Sequence, residues 1–404
     1  MKKKILFVIR GISFIIIIVV LFIIFKDKPV TTKINLTKNN EVIYGSIVNP
    51  RDFVLEIIDG KIINGESILI DEFPSQTITL NYLDSNDNKQ EKKIELTVKD
   101  IDKPVILNAR NITVYTGNEV DFMKGLMVGD NQSRKPNIII DGDYDLNQVG
   151  IYNLKYVITD DSKNETIQHF KLKVINKPET SDSSNNISST TSNTTPKNYL
   201  FDDFKKDYKN KDTLVGIDVS KWQGEINWDA VQKSGVEFAM IRIGYQTGIA
   251  KELKTDPYFV RNIVEANRVG IPIGLYFYSY ASNNDEAKKQ AEWIINKIKD
   301  YKVSLPIAFD WENWNSFSNF EINFLDLNQI ANTFMNVIEN NGYKSILYSS
   351  KSYLDNVWNT YENVWLAHYT NKSSYEDECL MWQRSSVGKV DGINADVDLN
   401  VLYK

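Results

Sequence analysis

The sequence predicts a multidomain protein with an N-terminal transmembrane helix, two all-β sandwiches, and a C-terminal irregular barrel of alternating strands and helices. Three observations lead to this fold class. An apolar run lies near the N-terminus, short strand-like runs fill residues 30–175, and apolar runs alternate with helical segments after residue 215. A chain of 404 residues is long enough for two or three domains.

The composition narrows the chemistry that the protein can perform. The formal net charge is −6 and no basic block follows the first residues, so we expect no nucleic-acid partner. One cysteine, Cys379, and two histidines, His169 and His368, exclude a disulfide framework and any metal centre built from several Cys or His ligands. We therefore expect chemistry based on carboxylates, hydroxyls and aromatic rings, without a metal or cofactor.

Residues 1–28 are predicted to form a membrane anchor. The apolar run 5–25 has about the length of a membrane-spanning helix, and Arg10 lies near one end, where its side chain can reach the interface. A cleaved signal peptide is the alternative, but no small-residue cleavage site follows the run. Because Lys and Arg are more frequent before the run than after it, we expect a single-pass cell-membrane protein with its C-terminal bulk extracytoplasmic.

Residues 29–101 and 102–176 are predicted to form two β-sandwiches. Their strand-like runs are separated by Asn, Asp, Gly and Pro, and no long helical period appears. The segment 78–98 is echoed by 152–174, which indicates tandem domains joined near residues 102–104. The second domain resembles the Ig-like repeats of many bacterial surface proteins, and this resemblance implies a spacer or a weak adhesive module.

Residues 177–210 are predicted to be a disordered linker. Ser, Thr and Asn dominate residues 176–198 and apolar residues are almost absent, so the segment has too little apolar surface to order itself. A flexible coil of that length spans roughly 25–30 Å, which would let the last domain sample its surroundings.

Residues 211–404 are predicted to form the barrel. Eight apolar runs are found, and amphipathic helical segments separate the first five: VGIDV (215–219), FAMIRI (238–243), IPIGLYFYSY (271–280), LPIAFDWE (305–312), KSILYSS (344–350), VWLAHY (364–369), LMWQRSS (380–386) and VDLNVLY (397–403). Apolar strands that alternate with helices are typical of a parallel sheet covered on its outside. The last three connections are too short or too polar for full helices, so we expect an irregular barrel.

The strand ends of this barrel carry the candidate site. Asp310 and Glu312 follow a buried run two residues apart, so both side chains project to the same side of the strand. A lone Asp at such an end is more often a helix cap, but two carboxylates beside Trp311 favour a pocket. Like charges held close together raise one pKa and leave a proton donor beside a charged neighbour. Such a pair in an aromatic cleft is the machinery of glycoside cleavage.

Six ordered motifs then resemble the family 25 glycoside hydrolases, the Chalaropsis-type muramidases. They are GIDVSKWQGEINWDAV, IRIGYQTG, GLYFYSYA, FDWEN, WLAHY and MWQRSS…VDGINADVDLN, which together span residues 214–403. The resemblance implies an irregular (β/α)5(β)3 TIM-like barrel, the same count of strands as above. It also implies hydrolysis of the β-1,4 bond between N-acetylmuramic acid and N-acetylglucosamine in peptidoglycan.

The resemblance assigns roles to individual residues. Glu312 matches the general acid, Asp310 matches the carboxylate that stabilises the developing cation or an oxazolinium, and Asp218 and Asp398 match two further acids. The candidates for sugar binding are Tyr276, Tyr278, Tyr348, Tyr369, Trp382 and Gln383, and core packing is the alternative for each of the aromatic residues. Arg242 is expected to pair with an acid at the rim. Three positions leave questions open: Arg384 stands where the family usually has Tyr, the role of His368 is unassigned, and Asp396 competes with Asp398.

The sequence thus favours a membrane-anchored muramidase that remodels or lyses the cell wall locally, with peptidoglycan strands and the cell membrane as partners. The alternative is a surface glycan-binding or scaffold protein whose barrel has lost its activity. A third reading keeps the enzyme but moves the cleaved bond to chitin-like or other N-acetylated glycans. The physiological role and subsite preference are not visible in the residues.

Overall fold

The computed structural model of the chain describes residues 31–63, 65–178, 199–248 and 250–404. The predicted anchor, residues 1–28, and residues 179–198 of the predicted linker lie outside these ranges. Within the described ranges, no helix combines the length and the apolar character needed to cross a membrane. The chain divides into two compact units between Ile101 and Asp102, where the sequence indicates the junction between the two sheet domains.

The first unit contains the first sheet domain, residues 31–101. Its strands are β1 Lys33–Leu36, β2 Glu41–Ile43, β3 Ile47–Val48, β4 Val54–Ile58, β5 Lys61–Ile62, β6 Ile68–Leu69, β7 Ser75–Leu83 and β8 Lys89–Lys99. A short 3-10 helix, Pro50–Phe53, precedes β4. The main sheet has the order β2-β8-β7-β5, and β1-β4 and β3-β6 form two-stranded sheets. Alternate residues of β7 and β8 are buried, which gives the domain its core.

The second unit begins with the second sheet domain, residues 102–178. Its strands are β9 Val105–Leu107, β10 Ile112–Tyr115, β11 Met127–Gly129, β12 Asn137–Asp141, β13 Gly150–Thr159 and β14 Glu165–Ile175. Its main sheet, β10-β14-β13-β12, repeats the arrangement of the first domain: a long antiparallel hairpin, with a parallel strand beside its second arm. The echo in the sequence corresponds to these two hairpins. The likeness to Ig-like repeats stays a prediction.

The rest of the second unit is the barrel. Its strands are β15 Tyr199–Leu200, β16 Thr213–Val219, β17 Phe238–Gln246, β18 Leu253–Thr255, β19 Ile273–Ser279, β20 Ile307–Trp311, β21 Ser345–Ser350, β22 Val364–Ala367, β23 Met381–Lys389 and β24 Val397–Tyr403. All eight predicted barrel strands are present. Neighbouring strands in the order β16-β17-β19-β20-β21-β22-β23 are parallel, and the short β18 pairs antiparallel with β17. β24 closes the barrel because it pairs antiparallel with both β23 and β16.

The helices lie mainly between the first five barrel strands. They are α1 Phe201–Tyr208, α2 Trp228–Ser234, α3 Phe259–Arg268, α4 Asn284–Ile298, α5 Phe324–Asn340 and α6 Lys351–Leu354. Two 3-10 helices, Lys221–Gln223 and Trp314–Phe320, follow β16 and β20. Asparagine side chains cap α2, α4 and α5, where each accepts a hydrogen bond from a backbone N–H in the first turn.

One expectation about the linker is wrong. Residues 199–208 form β15 and α1, although the sequence interpretation extends the linker to residue 210. Phe201 and Phe204 are buried in the core of the barrel, and Tyr199 pairs with Gly388 on β23. The aromatic residues at the end of the polar stretch therefore supply enough apolar surface to fold this segment onto the barrel.

Strand alternation sorts the side chains of the barrel into two layers. On β20, Ile307, Phe309 and Trp311 face the surrounding helices, whereas Ala308 and Asp310 face the interior. The lower interior is an apolar plug of Phe238, Met240, Ala308, Ile346, Met381 and Leu402. The inward residues above this plug are polar. The sequence therefore builds a solid barrel with one polar end, and that end holds the candidate site.

Candidate active site

A cavity of about 380 Å³ opens at the polar end of the barrel. The residues that line it are Asp218, Ser220, Trp222, Gln223, Arg242, Tyr276, Tyr278, Asp310, Glu312, Tyr348, Trp365, Tyr369, Gln383, Ser386, Asp396 and Asp398. All four predicted catalytic acids are among them. Because β24 runs antiparallel to its neighbours, its beginning meets the carboxyl ends of the other strands, and this brings Asp398 to the same rim.

Asp310 and Glu312 enter the cavity from one strand end at different depths. Asp310 is almost fully buried, and its Oδ1 accepts no hydrogen bond from the described part of the chain. Burial, together with the charges of Glu312 and Asp218, holds its pKa well above the usual range. Glu312 is accessible from the mouth of the cavity, but the surrounding protein still removes water from it. This desolvation, with the charge of Asp218, raises the pKa of Glu312 to about 7.

Asp218 lies on the cavity wall and is held by two amides. The side chains of Gln383 and Asn400 donate to its Oδ2 at 2.9 and 2.7 Å. Burial raises the pKa of Asp218 to about 6, and the two donated hydrogen bonds oppose that rise because they stabilise the carboxylate. Asn400 in turn accepts from the indole Nε1 of Trp365 at 2.8 Å. Asp218 is therefore fixed in position and mostly ionised at neutral pH.

Asp398 and Asp396 differ in their surroundings. Burial and the charge of Asp218 raise the pKa of Asp398 to about 9, so this group carries a proton at neutral pH. Asp396 reaches the cavity edge and pairs with Lys389 in a half-exposed ion pair. Asp398 therefore interacts with the buried acids, whereas Asp396 forms an ion pair at the edge of the cavity, and the assignment of the role to Asp398 stays a prediction.

Arg242 pairs with an acid, as expected, but with one that the sequence interpretation did not name. Its Nε and Nη2 atoms both lie 2.7 Å from Oδ2 of Asp256, and both side chains are buried. The same Oδ2 accepts from the backbone N–H of Lys221. The guanidinium lowers the pKa of Asp310 and so partly offsets the negative charge of the cavity.

Five of the six predicted sugar-binding residues line the cavity. Gln383 orients two of them, because its Oε1 accepts hydrogen bonds from the hydroxyls of Tyr348 and Tyr369, each at 2.9 Å. The prediction for Trp382 is wrong. It precedes the inward-facing Gln383 on β23, so its ring points outward, where it is buried and donates from Nε1 to the carbonyl of His368.

Sequence reasoning missed two tryptophans of the cavity. Trp365 forms part of its wall, edge-on to Tyr348 and Tyr276 at ring-centroid distances of 4.7 and 6.0 Å. Trp222 lies at the mouth with 72% of its surface exposed. An exposed tryptophan beside a cavity of carboxylates offers an apolar face to a ligand. Trp222 lies in the 3-10 helix that follows β16, so it is missed when only the last residues of each strand are considered.

The structure also shows the contacts of the two positions left open by the sequence, Arg384 on β23 and His368 directly after β22. Arg384 donates from Nε to the hydroxyl of Tyr208 at 3.0 Å and lies 4.7 Å from the ring centroid of Tyr199. It therefore ties the segment before the barrel to β23. The Nδ1 atom of His368 lies 3.1 Å from Oγ of Ser373, and the residue is not part of the cavity lining.

The arrangement can supply a proton and stabilise a cation in one place. Glu312, whose pKa is about 7, can donate at neutral pH to an oxygen that leaves from the cavity mouth. Asp218, which is mostly ionised at neutral pH, can oppose positive charge that develops on a bound ring. Tyrosine hydroxyls and the Gln383 amide provide hydrogen-bonding groups around them, and Trp222 provides an apolar surface.

The barrel part of the chain is similar to known proteins. The model of the family "Glycosyl hydrolases family 25" matches residues 217–393, which contain three of the four acids. The uncharacterized protein YegX of Escherichia coli is 30% identical over 194 residues, covering 47% of this chain and 69% of YegX. Lysozyme M1 of Streptomyces globisporus is 26% identical over 209 residues, covering 46% of this chain and 67% of that protein.

Among solved structures, the modular autolysin LytC from Streptococcus pneumoniae, in complex with a synthetic peptidoglycan ligand, is similar at 26% identity with a TM-score of 0.42. That match covers 62% of this chain and 56% of LytC. With a family model on the barrel and a 30% identical relative matched over 69% of its length, the chain belongs to glycosyl hydrolase family 25 and is a glycoside hydrolase of the lysozyme type.

Proposed function

We propose that this protein is a muramidase that cleaves the β-1,4 bond between N-acetylmuramic acid and N-acetylglucosamine in peptidoglycan. The observation that carries the proposal is the convergence of Asp218, Asp310, Glu312 and Asp398 in one cavity with aromatic walls. The likeness to Lysozyme M1 and to an autolytic lysozyme of Clostridium acetobutylicum, 28% identical over 194 residues, supports a cell-wall glycan as the substrate class.

In this mechanism Glu312 protonates the glycosidic oxygen as the bond to the anomeric carbon breaks. Asp310 lies deeper and, in its ionised form, stabilises the positive charge on the ring, or it orients the N-acetyl group of the substrate if that group attacks the anomeric carbon. Burial and, after it, the charge of Asp218 keep the pKa of Glu312 high, so that a proton is available at neutral pH. Water then completes hydrolysis at the anomeric carbon, and Glu312 regains its proton.

We further propose that residues 5–25 anchor the enzyme in the cell membrane, with the catalytic barrel on the extracytoplasmic side. The support is the apolar run and the preceding positive charges. Tethering would raise the local concentration of enzyme at the wall and suits local remodelling. Recovery of the protein from washed membranes after carbonate extraction is expected, whereas release of a shortened protein into the medium would contradict the anchor.

The catalytic proposal is tested with the full-length chain, purified in detergent, on purified peptidoglycan. Products are reduced with borohydride and identified by mass spectrometry. Reduced muramitol ends are expected, and Glu312→Gln should lower their rate of formation by about 10²–10⁴-fold because it removes the proton donor. Glu292→Gln, on the exposed face of α4, is the matched control and should retain activity.

Other products would change the proposal in defined ways. Reduced glucosaminitol ends would keep a glycosidase but assign it the other bond of the glycan. Binding of the glycan without any new reducing ends would favour the inactive scaffold.

A further inference from the structure

The second sheet domain packs directly on the part of the barrel that follows Glu312. This was not expected, because the sequence indicates a spacer separated from the barrel by a mobile linker. Met127 on β11 is fully buried within the same apolar cluster as the helices and strands of the barrel, and Val105 and Leu107 of β9 pack against that cluster. The small sheet β9-β11 is therefore part of the barrel's own core.

Gly129, the last residue of β11, lies very close to two aromatic rings of the barrel. A Cβ atom at this position would lie 2.4 Å from Cε1 of Phe324 and 2.9 Å from Cε1 of Phe317. Glycine is thus required here by proximity, since any side chain would displace these two rings. Phe317 belongs to the 3-10 helix Trp314–Phe320, which begins two residues after Glu312.

Hydrogen bonds fix the same contact. The backbone N–H of Phe324 donates to the carbonyl of Asp130 at 2.8 Å. The side chain of Asn323 caps α5 through its oxygen and donates from Nδ2 to the carbonyl of Gln132, also at 2.8 Å. Arg134 reaches both carboxylate oxygens of Asp326, at 2.8 and 3.3 Å. Backbone and side-chain groups of the sheet domain therefore both bind the first turn of α5.

An aromatic cluster connects this contact to the catalytic strand. Asn108 of the sheet domain donates to the hydroxyl of Tyr353 at 3.1 Å, and the Tyr353 ring stacks on Trp314 with centroids 4.0 Å apart. The Trp314 ring lies edge-on to the Trp311 ring with centroids 4.9 Å apart. The backbone N–H of Trp314 donates to the backbone carbonyl of Glu312 at 2.8 Å. The backbone of Glu312 is thus linked by contiguous contacts to the sheet domain.

We propose that the second sheet domain is a positioning module of the catalytic unit, which holds residues 312–326 and thereby places the Glu312 carboxyl for proton transfer. The proposal rests on the muramidase function proposed above. A proton donor that is displaced by about 1 Å loses up to about 10²-fold in rate, while groups that bind the sugar elsewhere in the cavity are unaffected. Disturbing the contact should therefore lower kcat and leave KM nearly unchanged.

The test uses the full-length chain with Gly129→Val and, as the matched control, Gly150→Val. Gly150 lies on β13 of the same domain, and a Cβ there meets only Tyr152 at 3.4 Å or more, an ordinary contact. We expect kcat of Gly129→Val to fall about tenfold to a hundredfold with KM within about twofold. Gly150→Val should match the wild type. Hydrogen exchange of amides 314–326 should accelerate in Gly129→Val alone, while amides of β16 and β24 keep their protection.

A rescue variant separates positioning from general damage. Leucine lacks the Cε1 and Cζ atoms of Phe324 that a Cβ at residue 129 would meet, so Gly129→Val combined with Phe324→Leu should regain part of the lost kcat. Equal kcat in Gly129→Val and Gly150→Val would overturn the proposal, as would faster exchange with unchanged kcat. If the wild type hydrolyses no glycan, the proposed function fails first, and the positioning role fails with it.

Discussion

Replacing Asp218 by Asn should move the alkaline limb of the pH–rate profile to lower pH. The pKa of Glu312 is raised to about 7 by two causes, burial first and the charge of Asp218 second. The substitution removes the charge and keeps a side chain of the same size. The pKa of Glu312 should then fall, but not to its ordinary value of 4.5, because burial remains. Since the general acid acts when protonated, activity is lost at a lower pH.

The size of the effect follows from these values. With a pKa of about 7, half of the Glu312 side chains are protonated at pH 7. If the pKa falls to about 6, roughly a tenth remain protonated, so kcat/KM at pH 7 drops about fivefold through this effect. At pH 5 the wild-type Asp218, with a pKa of about 6, is itself mostly protonated, so the electrostatic difference between the two proteins nearly vanishes.

The assay is kcat/KM on a soluble glycan from pH 4.5 to 9 for the wild type, Asp218→Asn and Asp396→Asn. Asp396 lines the same cavity but pairs with Lys389, so its substitution should leave the alkaline limb in place. A ratio of wild-type to Asp218→Asn rates that is the same at every pH would refute the electrostatic reasoning. It would mean that Asp218 acts through contact with the substrate or through structure.

Two further predictions concern groups around the acids. Trp222→Ala should raise KM roughly fivefold with little change in kcat, since an aromatic face contact at the exposed mouth contributes about 1 kcal/mol to binding; unchanged KM would exclude Trp222 from the substrate path. Asn400→Leu should lower the free energy of unfolding by about 1–3 kcal/mol, because Trp365 Nε1 loses its acceptor and Asp218 loses a donor. That loss should be larger at pH 8 than at pH 5, since the missing donor matters most when Asp218 is ionised, and denaturant titration at both pH values measures it.

The sequence predicts much of the barrel because its signals are local. All eight strands and the acids at their ends follow from apolar runs and the residues where those runs stop. Trp382 is predicted wrongly because a sequence motif does not show which side of a strand each residue faces. In the structure Gln383 faces the cavity, so its neighbour Trp382 faces the opposite side. The sequence also did not identify Asp256 as the partner of Arg242, because their ion pair forms only when the fold brings the two segments together.

The contact between the second sheet domain and the barrel has no local signal at all. In the sequence Gly129 looks like an ordinary glycine at the end of a strand. Its importance comes from the rings of Phe317 and Phe324, almost two hundred residues further along the chain. The aromatic residues after Glu312 indicate that this segment is buried, but they do not show that the second sheet domain covers it. Composition extends the predicted linker to residue 210, and this fails at Phe201 and Phe204, which dock on the barrel.

Closure of the barrel by β24 has a consequence for the order of events during synthesis. A ribosome that has reached residue 390 has already made Asp218, Asp310 and Glu312, but the strand that pairs with both β16 and β23 is still missing. Asp398 and Asn400 both arrive with that strand. A chain without that strand lacks both Asp398 and the connection between β16 and β23, so we expect hydrolytic competence only after the last barrel strand is in place.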